Sequence, residues 1–457
     1  MHPTPSLKQT FGFWTGWFLV VACMIGSGIL TTSGPIIKNT GSYSALLGLW
    51  VAGGFIALCG ALTLGELASG LPRVGGDYAF IREAFGPMFG FVYGWAMVLL
   101  GFAGPVALLA YTTALYLQPA SITLFASTSL AAYVAGKSFL LAVSSVLIIV
   151  FTFLHCLGQR ESSRVQGITT LFKIFVLLAL IAIAFFSPKS QWGNLLVPHI
   201  AGSCTLPALS SALILVMYAY TGWNAAAYLS GEIRESSKIV PWCITFGTLA
   251  VTLIYGLVNI AFGLALSPAQ VLALSPDETS RIADSAANAL LGNDWGRIFS
   301  FLVSLGVFAS LSAYILTGPR VVFSMAHDGL LPKWIGKIDP KAEVPSRATV
   351  FQGVLSLILL WSGTFQELLD FTGYGLAVLG ILVVAPIFAM RKRASFNPLF
   401  RVPFYPWTPG IFLLLSVAML IGGAMDNLKL AVLSTLSIGI GFPLYFGWKR
   451  FSKTPIR

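Results

Sequence analysis

The sequence predicts an all-α membrane protein of about twelve transmembrane helices, and three observations carry that prediction. Of its 457 residues, 56% are hydrophobic and 9% charged, whereas soluble domains carry about 25% charged residues. Apolar runs of the ~20 residues needed to cross a bilayer at helical rise recur along the whole chain. The basic residues also alternate between two sets of connections. Of the 27 Lys and Arg, 20 fall on one set and the termini, among them Lys8, Arg73, Arg82, Arg160, Arg234, Arg320, Arg391 and Lys453. Only Lys38, Lys137, Lys189, Arg281, Arg297 and Lys429 fall on the other, and Lys173 lies inside a span. That asymmetry is the positive-inside pattern and predicts both termini in the cytoplasm. The net charge of +11 thus reports topology, and no nucleic-acid partner is expected. Little of the chain lies outside apolar runs, so residues 1–457 read as one polytopic domain.

The spans fall near 11–37, 43–70, 84–117, 138–158, 165–187, 206–231, 239–266, 296–323, 347–362, 366–390, 405–425 and 428–448. The first has no small-residue cleavage site behind a short apolar core. It reads as a retained helix, anchored at the interface by Trp14 and Trp17, and not as a signal peptide. Inside it lies Met24-Ile25-Gly26-Ser27-Gly28. Two glycines flanking a serine weaken a helix at a depth where no water replaces lost hydrogen bonds. Unwound backbone there exposes N–H groups at the head of a half-helix, whose dipole suits an anion such as a carboxylate. The competing reading is a small-residue packing seam.

The second span is dense in Gly and Ala and ends in Gly65-Glu66-Leu67. Glu66 reads either as a proton site or, more commonly for such a carboxylate, as a cap or the partner of a loop arginine. Pro72-Arg73-Val74-Gly75-Gly76 then breaks the helix, and Asp77 is expected to cap a short interfacial helix. In the fifth span Lys173 sits among apolar neighbours. A lysine at depth costs roughly 2.5–3.5 kcal/mol on insertion scales. It is therefore expected to face the bundle interior in preference to snorkelling. The sixth span carries a second interruption, Tyr218-Ala219-Tyr220-Thr221-Gly222-Trp223-Asn224. Interruptions at corresponding positions of two halves are the best sequence pointer to a carrier's binding site. Tyr255 and Asn259 share one face of the seventh span. His327, after the eighth, is expected at the surface.

No nucleophile–base set, metal-ligand spacing or hydrolase motif is present, so an intramembrane enzyme is not expected, and neither is a metal or cofactor. His2, His155, His199 and His327 lie at or near span ends. The five cysteines (Cys23, Cys59, Cys156, Cys204, Cys243) read as small apolar fillers.

These segments resemble the amino acid–polyamine–organocation superfamily, most closely its small bacterial members and the L-type amino acid transporters. The likeness rests on Ile25-Gly26-Ser27-Gly28-Ile29, on Gly65-Glu66-Leu67 through Gly75-Gly76-Asp77-Tyr78 to Gly86-Pro87, on Gly222-Trp223-Asn224 with Glu232 and Pro241, and on Arg320 through Pro332. The resemblance implies an inverted 5+5 repeat of the leucine-transporter-like fold, with helices one and six broken and two extra C-terminal helices. The repeats would span about 11–187 and 206–390, the extra helices about 405–448.

It further implies that a substrate carboxylate meets Ser27 and the N–H groups of Gly26 to Gly28, with Ile25 and Gly222 in the same pocket. The ammonium would meet carbonyls of Met24, Tyr218, Ala219 and Thr221. Tyr218 would close over the substrate, Lys173 would stand where sodium sits in coupled cousins, and Tyr255 would hold that region. The expected activity is sodium-independent transport of small or medium neutral L-amino acids by alternating access, as an exchanger or proton symporter, in a bacterial inner membrane. A cationic amino acid or polyamine antiporter and a non-transporting sensor are the alternatives. The connection between the third and fourth spans lacks cysteine, so no disulfide-linked heavy subunit is expected.

Overall fold

The computed structural model describes residues 9, 11–72, 75–125, 127–158, 162–197 and 204–451. Lys8, Arg73, Val74, Arg160, Lys453, His2 and His199 lie outside them. Among the described residues, ten helices are long and apolar enough to cross a membrane, running from Phe13–Thr31 to Leu428–Arg450, and two shorter apolar helices, Leu206–Ala219 and Ser346–Trp361, fill the sixth and ninth positions. The twelve spans therefore fall where the apolar runs predict them.

Two spans are interrupted. The first runs Phe13–Met24, resumes at Gly28–Thr31 and continues as Ser33–Thr40. The sixth runs Leu206–Ala219 and resumes at Ala225–Tyr228. Glycine permits their crossing at two points. A Cβ on Gly28 would lie 2.4 Å from the Ala219 Cα, and one on Gly222, whose φ is +101°, would lie 2.7 Å from the Cys23 carbonyl carbon. Both gaps thus press backbone to backbone, an approach only a missing side chain allows.

Around this crossing, spans five apart in order lie together: the second on the seventh, the third on the eighth, the fourth on the ninth. The third span carries a π-helical stretch, Met97–Ala103, at mid-depth. Such wide turns open the i→i−4 ladder and concentrate at functional positions.

The face where the first span enters is called here the entry face, and the opposite one the far face. At the entry face Phe11 pairs with the strand-like turn after the sixth span: its N–H donates to the Glu232 carbonyl (3.0 Å) and its carbonyl accepts from the Arg234 N–H (2.9 Å). Glu66 proves to be an ion-pair partner. Arg391 grips both its oxygens at 2.7 and 2.6 Å while the Val402 N–H donates at 2.7 Å. His327 is exposed, as expected. Cys204, however, is exposed near the start of the sixth span, so it is no core filler.

Candidate functional site

A broken helix leaves carbonyls without donors at one end and N–H groups without acceptors at the other. In the first span the two ends are treated oppositely. The carbonyl end is fully used. Lys173, buried in the fifth span, donates to the carbonyls of Ala22 (3.0 Å) and Ile25 (2.5 Å) and to the Ser310 hydroxyl (2.8 Å), and Ser310 in turn donates to Ile25 (2.7 Å). All three ammonium protons are thereby engaged, and the cation stands at the negative end of a helix dipole. Lys173 faces inward, as expected. The Tyr255 hydroxyl lies 2.5 Å from the Met24 carbonyl and 3.0 Å from that of Ala219, so its one proton ties together the last carbonyls of both half-helices.

The N–H end is left open. Gly26 turns its N–H back onto the Met24 carbonyl at 2.8 Å, but those of Ser27, Gly28 and Ile29 donate to nothing among the described residues. The open set therefore starts one residue later than the resemblance implies. Beside it, the Ser27 hydroxyl lies 3.0 Å from the Tyr218 hydroxyl, both buried. Three free N–H groups on a half-helix carrying about +0.5 charge, plus two hydroxyls, form an anion-binding point in a low-dielectric setting.

Of the four carbonyls assigned to an ammonium, Met24 and Ala219 share the Tyr255 proton and Tyr218 accepts from the Thr221 N–H (3.0 Å) and hydroxyl (2.6 Å). The Thr221 carbonyl accepts from nothing among the described residues.

A cavity of about 70 Å³ lies beneath the crossing, bounded on one side by the tenth and eleventh spans. Cys23, Thr221, Gly222, Tyr314 and Thr317 form its roof, the π-stretch residues Met97, Gly101 and Phe102 one wall, and Tyr93, Asn224 and Tyr228 its floor. A second, small cavity of about 10 Å³ lies behind the first span at Ile25, Gly26 and Lys173. Toward the far face the site is roofed over: a Cβ on Gly34 would lie 2.2 Å from the Thr279 carbonyl oxygen, Tyr116 donates to the Leu30 carbonyl (3.0 Å), and Ser33 donates to Asn259 (2.7 Å).

Sequence reasoning missed three groups. Ser310 carries no local motif. Arg320 and Glu232 form a buried ion pair at 3.3 Å although each stands in a different family segment. Asp77 does not cap its helix, Asp77–Phe85, as expected. One of its oxygens instead accepts from Tyr93 (2.9 Å), Tyr228 (2.8 Å) and Asn224. No signal in the sequence pairs residues that far apart.

Broken helices crossing within a bundle of membrane-spanning helices, with a buried anion-binding point and a cavity beside it, define a membrane carrier of the inverted-repeat type. The model of the amino acid permease family matches residues 11–438, and the chain belongs to that family, within the amino acid–polyamine–organocation superfamily. It is 27% identical over 455 residues to the serine/threonine exchanger SteT of Bacillus subtilis, covering 98% of this chain and 99% of that one. It is 29% identical over 397 residues to the human large neutral amino acids transporter small subunit 2, covering 83% and 70%. To the mouse b(0,+)-type amino acid transporter 1 it is 27% identical over 465 residues, covering 99% and 92%. The protein is an amino acid transporter and not an enzyme.

Proposed function

We propose that the protein carries small or medium neutral L-amino acids without sodium, by alternating access at the crossing of the first and sixth spans. The observation that carries this reading is the asymmetric first break. Its carbonyl end is neutralised by a lysine, so no bound cation is required, while the N–H groups of Ser27, Gly28 and Ile29 await an anion. The substrate carboxylate binds there and to Ser27, in a pocket shared with Met24, Ile25, Gly26, Tyr218 and Gly222. The ammonium points to the carbonyl edge of Ala219 and Thr221. Tyr218 closes over the ligand, and Lys173 and Tyr255 hold the break in shape.

Thr221, on the cavity roof, narrows the space for a side chain and favours the smaller neutral substrates. The serine/threonine specificity in one relative's name agrees in size. The pairing of spans five apart supports two interlocked repeats, about 11–187 and 206–390, with 405–448 behind them. The alternation of basic residues supports a cytoplasmic entry face and cytoplasmic termini, as in a bacterial inner membrane. Among the relatives are large neutral amino acid transporters named as small subunits. With no cysteine between the third and fourth spans, this chain works without a disulfide-linked heavy subunit.

The test is a thermal-shift screen of the solubilised protein against the amino acids and polyamines, since ligands that bind only the folded state raise Tm. Neutral L-amino acids should raise it, and Ser27→Leu, which fills the carboxylate position, should abolish the rise. In liposomes, exchange should persist when choline replaces sodium; collapse of the flux would overturn the sodium-independent reading.

A further inference from the structure

Of the other buried carboxylates among the described residues, two have cationic partners and the third an amide. Glu66 is gripped by Arg391 and Glu232 faces Arg320, while Asp284 accepts from Asn288. Asp77, fully buried behind the cavity-floor residues Tyr93, Asn224 and Tyr228, has no cation within ion-pair distance among the described residues. Its two oxygens are used unequally. Oδ2 accepts from Tyr93 of the third span at 2.9 Å, from Tyr228 at 2.8 Å and from Asn224, the last two on the lower half of the sixth span. Oδ1 is buried without any partner. A charge in this position is costly, because an unpaired buried carboxylate loses its hydration and gains no counter-charge.

The surroundings close around this group. Gly76, with φ +51°, brings the connection so near the sixth span that a Cβ would lie 2.7 Å from the Tyr228 ring. The charged and titratable neighbours are occupied otherwise. On its own helix, Tyr78 donates to Asp328 (2.7 Å) and Arg82 lies 3.4 Å from the same carboxylate. On the eighth span Arg320 belongs to Glu232, and Ser324 and Met325 pack against Gly75 and Gly94. The third and sixth spans face Asp77 only with Tyr93, Tyr228 and Asn224.

Resting on the transport reading, we propose that Asp77 is a proton-binding latch of the entry-face gate. Protonated, it lets the lower half of the sixth span stay packed on the third span and on the connection before it; ionised, it drives that half-helix open toward water. The physical reason lies in the missing counter-charge. The three hydrogen bonds to Oδ2 offset only part of the hydration an ionised carboxylate loses here, and opening restores that hydration. A proton on Oδ1 removes the charge while the gate is closed; it leaves to water when the gate opens and returns from water when the gate recloses. Burial pushes the carboxyl up to about 6, and the bonds from Asn224, Tyr228 and Tyr93 only partly offset this, so the latch titrates near neutral pH.

The experiment is exchange of radiolabelled L-serine by the full chain in liposomes, at equal inner and outer pH from about 5 to 8. Wild-type flux should rise on the order of tenfold between about pH 5 and pH 7.5, following the ionised fraction. Asp77→Asn, which carries no charge at any pH, should hold flux flat across the range. Asn224→Ala removes a donor to the ionised form and should move the midpoint upward. A wild-type profile retained in Asp77→Asn, at whatever absolute rate, overturns the latch.

Infrared difference spectra of wild-type protein between the same pH limits need no substrate. They should show a protonated-carboxyl band that Asp77→Asn removes, and a spectrum without that band also overturns the proposal. Failure of every amino acid to shift Tm or to exchange would instead tell against the carrier reading, so the two failures are distinguishable.

Discussion

The two sides of the crossing are closed by different chemistry. Toward the far face the seal is made of close backbone packing and neutral hydrogen bonds: Gly34 beneath Thr279, Tyr116 on Leu30, Ser33 on Asn259. Toward the entry face it depends on ionisable groups, the Arg320–Glu232 pair and the Asp77 cluster, beside the backbone bridge from Phe11 to the Glu232–Arg234 turn. A packed seal tolerates no added volume but is indifferent to pH. A charged seal with little water around it fails abruptly when one partner is lost, because the remaining charge is stranded.

That contrast orders the effects of substitution. Arg320→Ala should do the greatest damage, removing about 3–5 kcal/mol by stranding Glu232. A combined Arg320→Met, Glu232→Leu variant should recover most of the lost Tm in detergent. Were the double variant as unstable as the single, the charge account of the entry side would be wrong. Gly34→Ala on the far side should cost about 1–3 kcal/mol by overpacking, with no dependence on salt or pH. An unchanged Tm there would mean that the roof is loose.

Lys173→Ala should leave the fold intact yet slow exchange, because the Ala22 carbonyl loses its lysine donor and the Ile25 carbonyl keeps only Ser310 at the moving break; wild-type rates would remove the lysine from the mechanism. Tyr255→Phe should be milder, about 1 kcal/mol for the lost hydroxyl bond, read as a small Tm drop.

The smallest effect is a pH slope in stability. The native Asp77 carboxyl sits near 6, above the ~3.9 of an unfolded chain. The native state therefore holds the proton more tightly. The stabilisation is fully present below about pH 4 and is lost as pH rises toward 6. Asp77→Asn should flatten this part of the Tm–pH curve, and an unaltered slope would assign it to another group.

Much of this was legible in the chain. Apolar runs give the twelve spans because the bilayer fixes their length, and Gly28 and Gly222 mark the breaks because no other residue fits where the backbones meet. Lys173 was readable from its depth alone. What stayed hidden is pairing across distance. Glu66 meets Arg391, 325 residues on, and Asp77 meets Tyr228, 151 residues on. Local pattern read Asp77 as a helix cap, since an acid before a short helix usually is one; the fold instead turned its carboxylate toward three donors from two other spans. The division of labour at the first break was equally invisible, since it depends on which neighbours reach each end.

The central claim is that the open N–H groups of Ser27, Gly28 and Ile29 grip a carboxylate. The most direct test sets the thermal shift produced by L-serine beside that of its carboxamide, with the ammonium and side chain kept identical. The geometry predicts a clear rise in Tm with the acid and none with the amide. An equal rise with both would mean that the ligand's anionic group binds elsewhere, or that no anion is recognised at the crossing.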